Sequence, residues 1–144
     1  MKNAHSQTRP WHLWLIGILA LLWNGFAAVD FTGTTFFTDA WLGAMGFDAS
    51  QIAFFESLPF WQSIAWALGA WGGFWGAITL LLRSAITSWL WLVSLMGAVA
   101  SKIGMRTIEV PESLNPGILA YVIIGIATLL LIYAIRMRKR GILK

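Results

Sequence analysis

Cysteine is absent from the chain, which excludes disulfides, thiol catalysis and cysteine-ligated metal and leaves the redox compartment open. Histidine is scarce too: His5 stands in the N-terminal tail and His12 at the edge of the first apolar run. A membrane b-type haem takes two axial ligands facing one another inside a helical bundle, and these two cannot supply them. No nucleotide-binding, hydrolase or zinc motif occurs. No cofactor and no enzymatic activity are therefore expected. Charge is the third shortage, at 11% of residues against roughly 25% in soluble domains.

Apolar residues fill the difference. They make up 58% of the 144 positions, ten of them Trp, and the mean hydropathy is +0.72. This is the composition of a single integral membrane domain whose first partner is the lipid bilayer. The net charge of +4 is no nucleic-acid footprint, because the basic residues flank apolar segments instead of lining a soluble face.

A helix needs about 20 apolar residues to cross the hydrocarbon core, and four stretches meet that need: residues 11–36, 60–82, 85–106 and 117–136. The last is uncharged over "GILAYVIIGIATLLLIYAI"; the third is the weakest, since Lys102 cuts it short. Lys2, Arg9, Arg83, Arg136, Arg138, Lys139, Arg140 and Lys144, eight of the ten basic residues, fall to one side of such a four-span arrangement. Lys102 and Arg106 fall to the other, near all six acids. The positive-inside rule then predicts both termini in the cytoplasm, external loops at 38–58 and 107–116, and "RMRKRGILK" as a basic cytoplasmic anchor with affinity for anionic headgroups. Lys2 and Arg9 before a short apolar run ending in "GFA" (residues 25–27) also fit a signal peptide. The run is rich in Trp and the polar region before it is long, so the span is the reading kept.

Within the first external loop, Asp48 and Ser50 are candidate N-caps for a short helix over residues 51–57, and Pro59 allows a new helix to start. Ile52, Phe54, Phe55 and Leu58 suit that short helix to the membrane interface, as a packed connector or as a lid over an external cavity. In the second span Ala65, Gly69, Gly73 and Ala77 recur every four residues, with Gly72 and Gly76 beside them. Such a ladder lets another helix backbone approach closely. Trp11, Trp14, Trp61, Trp89 and Trp91 read as interfacial anchors, while Trp23, Trp66, Trp71 and Trp75 lie deeper. Helix packing explains the deeper set; aromatic walls of a solute cavity are the other reading.

The candidate polar or ion-pair site comprises Asp30, Asn24, Lys102, Arg106 and Glu56. Asp30 follows Trp11 by nineteen residues, about 28 Å of helix, which brings it to the outer end of the first span. Lys102 follows Arg83 by the same count, and Arg106 lies one turn further. An Asp30–Lys102 or Asp30–Arg106 pair is expected, because pairing is how such charges are tolerated in a membrane. Trp23, Ala27, Asp30 and Thr34 share a face, expected to point into the bundle, and Asn24 points elsewhere with no evident partner. Glu109 and Glu112, beside Pro111, read as solvated loop charges.

Four stretches, "LLWN…DF" (from Leu21, closing on Asp30 and Phe31), "FFESLPFW" (54–61), "WGGFWGAITLLLR" (71–83) and "IRMRKRG" (135–141), carry a resemblance over nearly the whole chain. It resembles the small four-span bacterial inner-membrane proteins sometimes labelled sugar transporters. The matching positions are Trp23, Asn24, Asp30, Glu56, Pro59, Trp71, Gly72, Gly73 and Arg83. The resemblance implies an all-α four-helix membrane bundle in the bacterial inner membrane and a carrier of small solutes. Four short helices enclose little volume, so such a carrier is expected to act as a homo-oligomer. The alternative is an accessory or assembly subunit docking a larger membrane complex through the glycine face. A water-accessible cavity holding Asp30 marks the first, and a glycine face open to lipid marks the second.

Overall fold

The computed structural model describes residues 10–144, and every regular element among them is helical. In chain order these are α1 (Trp11–Phe36), α2 (Thr38–Ala44), α3 (Ala49–Glu56), α4 (Phe60–Leu81), α5 (Thr87–Gly104), a single 3-10 turn (Glu112–Leu114) and α6 (Ile118–Lys139). Pro10 and Pro59 occupy extended backbone immediately before α1 and α4, where a missing N–H costs nothing and the fixed φ feeds the first turn. Phe37 leaves helical geometry and separates α1 from α2. The loop expected at 38–58 thus holds two helices, of which α2 was not anticipated.

Three segments, Trp11–Phe36, Phe60–Leu81 and Glu112–Lys139, are long and apolar enough to cross a membrane. Helix α5 is not among them. Its 18 residues measure about 27 Å, and Thr87, Ser88, Ser94, Ser101 and Lys102 dilute its apolar content. Those same small polar residues let it pack closely.

Helix α1 packs on α4, α4 on α5 and α5 on α6. The α4–α5 contact is backbone against backbone. A methyl group on Gly97 would run into Gly69 N and Ala65 O, and one on Gly72 would meet Leu90 O and Ser94 N at 3.2 Å. Gly76 leaves room for the Trp91 ring. The other edge of the α4 ladder serves α1: Gly73 receives the Asn24 side chain, and Ala77 is fully buried. Opposite, α1 presents Leu13, Gly17, Ala20, Asn24, Ala28 and Phe31 as its buried stripe. That corrects the expected orientation of α1. The face of Trp23 and Asp30 lies at the flank, because the small residues that admit α4 lie on the Asn24 side.

Helix α6 is peripheral. Of its 22 residues only Ala134 and Met137, near its end, are buried. There all four long helices meet: Leu13, Ala77, Leu80, Trp91, Ala134 and Met137 share one apolar core, and His12 Nδ1 and Tyr133 OH share a hydrogen bond of 2.7 Å. The C-terminal residues complete that core. Gly141, at φ +69°, turns the chain back so that Ile142 and Leu143 are buried. Lys144 then pairs with the α4–α5 turn through Lys144 N–Arg83 O and Ala85 N–Lys144 O, each 2.9 Å. Arg83, held at φ +61°, also donates from Nε to Ile142 O at 3.1 Å. A non-glycine residue in that region costs on the order of 1–3 kcal/mol, and these bonds offset it. The basic tail is therefore more than a surface anchor.

Replacing Gly97 by Ala is expected to destabilise the protein by about 1–3 kcal/mol, since the opposing atoms are backbone and cannot yield. Gly125→Ala on α6, where a methyl group meets nothing within 4 Å, is expected to be neutral or mildly stabilising. Thermal unfolding of both variants in one detergent checks the contrast.

Candidate functional site

Two polar regions lie within the helices. The first is a seam along the α1–α4–α5 contact. Asn24, 8% exposed, donates from Nδ2 to Ala20 O in its own helix at 2.8 Å, and its Oδ1 occupies the space a side chain on Gly73 would fill. On the far side of α4, Trp91 Nε1 donates to Gly73 O at 3.2 Å and Ser94 Oγ to Gly69 O at 2.6 Å. At one end of the seam Gln62 Nε2 donates to Ser101 O and Oγ, and Gln62 Oε1 stays buried without a partner. At the other end Thr87 Oγ1 donates to Thr79 Oγ1 at 3.0 Å. Interhelical hydrogen bonds in membranes average about 0.6 kcal/mol and reach roughly 1.7. Their larger effect here is to fix the register of α5 on α4.

Asn24 thus gains the partners that sequence spacing did not supply. Trp91, expected at the interface, is instead 1% exposed and the largest fully buried side chain. Gly76 makes its room. Ser94 and Ser101 escaped notice as well, although Trp91, Ser94, Gly97 and Ser101 trace one helical stripe.

The second region is a cleft of about 160 Å³ at the end of the molecule that carries the acids. Thr34 and Thr35 come from the last turns of α1 and Thr38 from the start of α2. Phe55 and Glu56 close α3, and Ser63 and Trp66 come from the first turns of α4. A capping box builds α3: Asp48 Oδ1 accepts from Ser50 N and Gln51 N while Gln51 Oε1 accepts from Asp48 N. The Ser50 hydroxyl, also bonded to Asp48, holds that carboxyl below its ordinary pKa, helped by the Gln51 amide. Phe55 meets Trp66 with ring centroids 6.3 Å apart and planes tilted by 39°, and Phe31 braces Trp66 edge-on at 5.3 Å. The short helix α3 therefore reaches the first turns of α4 through Phe55.

The expected ion pair does not form. Asp30, half-buried, accepts a hydrogen bond of 3.0 Å from Trp41 Nε1 of α2. That indole ring lies over Gly33, where any side chain would displace it. Lys102 and Arg106 converge instead on Tyr121 of α6: Lys102 Nζ stands 4.8 Å from the ring centroid, and Arg106 Nη2 is 3.5 Å from the hydroxyl. Sequence distance speaks to position along each helix, but α4 stands between α1 and α5. Glu56 alone of the five candidates lines the cleft, and Asn24 alone joins the seam.

No protein-family model, curated protein or solved structure matches the chain. The resemblance to four-span inner-membrane proteins rests on the four sequence stretches alone.

Gly73→Ala is expected to destabilise by pressing on Asn24, and Asn24→Ala to cost its own polar contacts. Combined, they should show a favourable coupling of about 0.5–3 kcal/mol, because the second change vacates the space the first needs. A double-mutant cycle by thermal unfolding measures it; simple additivity would contradict the contact.

Proposed function

We propose that the chain is a four-span protein of the bacterial inner membrane, with both termini cytoplasmic, that carries a small polar solute taken up in the cleft beside Glu56. The observation that carries this reading is the cleft itself: hydroxyls, one carboxylate and two aromatic rings converge at one end of the helix assembly. Its volume lies below the roughly 300–1,000 Å³ of pockets for drug-sized ligands, which suits a solute of few atoms.

Crossing of the membrane by α5 is supported by its contacts with α4. They run from Thr79–Thr87 to Gln62–Ser101, a length of about 26 Å along α4, so a membrane-spanning α4 carries α5 with it. Arg83 and the basic C-terminal segment meet at the opposite end from the cleft, which supports placing the cleft outside. That cytoplasmic end is closed by the apolar core and by Ile142 and Leu143, as in a carrier resting open to the outside. The exposed outer face of α6 leaves room for a second copy, in keeping with a carrier that acts as a homo-oligomer. Docking of a larger complex through the glycine ladder has no support: Gly73, Gly76 and Ala77 are buried, and Gly69 and Gly72 lie against α5.

Uptake into proteoliposomes, over a panel of small neutral and charged polar solutes, tests the reading. At least one solute is expected to enter, and Ser63→Trp, which fills the cleft, should abolish entry while Gly125→Ala leaves it intact. Absence of any uptake, or uptake indifferent to Ser63→Trp, would overturn it.

A further inference from the structure

The charge pattern around the cleft goes further than its polarity. Glu56 is its single charged lining residue among the described residues. Thr34 and Thr35 sit in the last turns of α1, Glu56 ends α3 and Thr38 begins α2, so helix ends of both signs meet at the cleft and the carboxylate is its one full charge among the described residues. Ser63, the fourth residue of α4, lies past that helix's foremost amides, and its own N–H is engaged by Pro59 O at 3.3 Å. Lys102 and Arg106 are engaged by Tyr121 of α6. Glu56 therefore sets the sign of charge among the described residues lining the cleft.

Its aromatic walls have a matching chemistry. Phe55 and Trp66, in contact with centroids 6.3 Å apart, both line the cleft, and Phe31 meets the indole edge-on. A ring face attracts a cation within about 6 Å, and indole does so most strongly. A neutral polyol would gain from the hydroxyls and the rings, but would make no use of the carboxylate's charge.

We infer that the cleft binds a small organic cation of the amino-alcohol type, with its ammonium group against Glu56, Trp66 and Phe55 and its hydroxyl among Thr35, Thr38 and Ser63. This rests on the solute-binding reading above and names the class of solute. Glu56 supplies the charge, and α3 carries it to the cleft.

Equilibrium dialysis of the full chain in lipid nanodiscs, with choline and glucose as probes, tests it. Choline is expected to bind and glucose not. Glu56→Gln should weaken choline binding at least about tenfold, as loss of a charged partner does, and Trp66→Leu about threefold or more. Glu56 is exposed, so Glu56→Gln should unfold at the wild-type temperature, which separates lost binding from lost structure. Glucose binding that survives Glu56→Gln would overturn the cationic class and leave the solute-binding reading standing. Binding of neither probe to the wild-type chain would overturn the cationic class, and proteoliposome uptake of some other solute would then show whether the carrier reading survives it.

Discussion

The contact between the backbones of α4 and α5 is the constraint on which the rest of the structure depends. Gly97 lies against Gly69 and Ala65 with no room for a methyl group, and Gly72 lies almost as close to Leu90 and Ser94. In a bilayer, apolar side chains gain nothing by leaving lipid for one another, so helices hold together by close packing and polar contacts. Both operate here. The short separation lets Ser94 reach Gly69 O and Trp91 reach Gly73 O, bonds that a bulkier interface would put out of range. With Trp91 drawn in, the apolar core of the basic end acquires its largest member.

The acidic end follows from what α4 leaves free. Its small residues admit α1 on one edge and α5 on the other, so Asp30 and the Lys102–Arg106 pair face different neighbours. Each finds a local solution, an indole for the acid and a tyrosine for the bases. Neither is an ion pair. The two ends then differ in kind: one is filled by apolar side chains and the returning C-terminal segment, the other holds a hydroxyl-lined cleft beside α3. The molecule is thus closed at one end and cleft at the other, and the proposed carrier reading rests on that asymmetry.

Much of the architecture was legible in the sequence. Length and hydropathy placed α1 and α4 nearly to the residue and α6 to within three. Asp48, one of two candidate caps, starts a helix at Ala49 rather than at the expected 51, and the small-residue period of α4 announced close packing. Pairing was not legible. Spacing along a helix gives depth and face but not which neighbour a face meets, so Asp30 was matched to bases that α4 separates from it. Trp91 was misplaced for a related reason. Its depth suggested an interface, and only the cavity opened by a glycine on another helix shows that a whole indole fits inside. The cleft escaped notice as a unit because its residues come from four helices, including α2, whose seven residues are too short for a periodic pattern to stand out. Asn24 was singled out without a partner because its partner is a glycine, a residue whose contribution is an empty space.

The central claim is that the glycine contact carries α5 across the membrane beside α4 despite its diluted apolar content. Residues 57 and 109, one before α4 and one after α5, are both exposed, and the chain has no native cysteine to confuse labelling. Single Ser57→Cys and Glu109→Cys variants treated in intact cells with a membrane-impermeant maleimide give the most direct answer. The account predicts that both label from the same, external side. Labelling of one in intact cells and of the other only after lysis would contradict it.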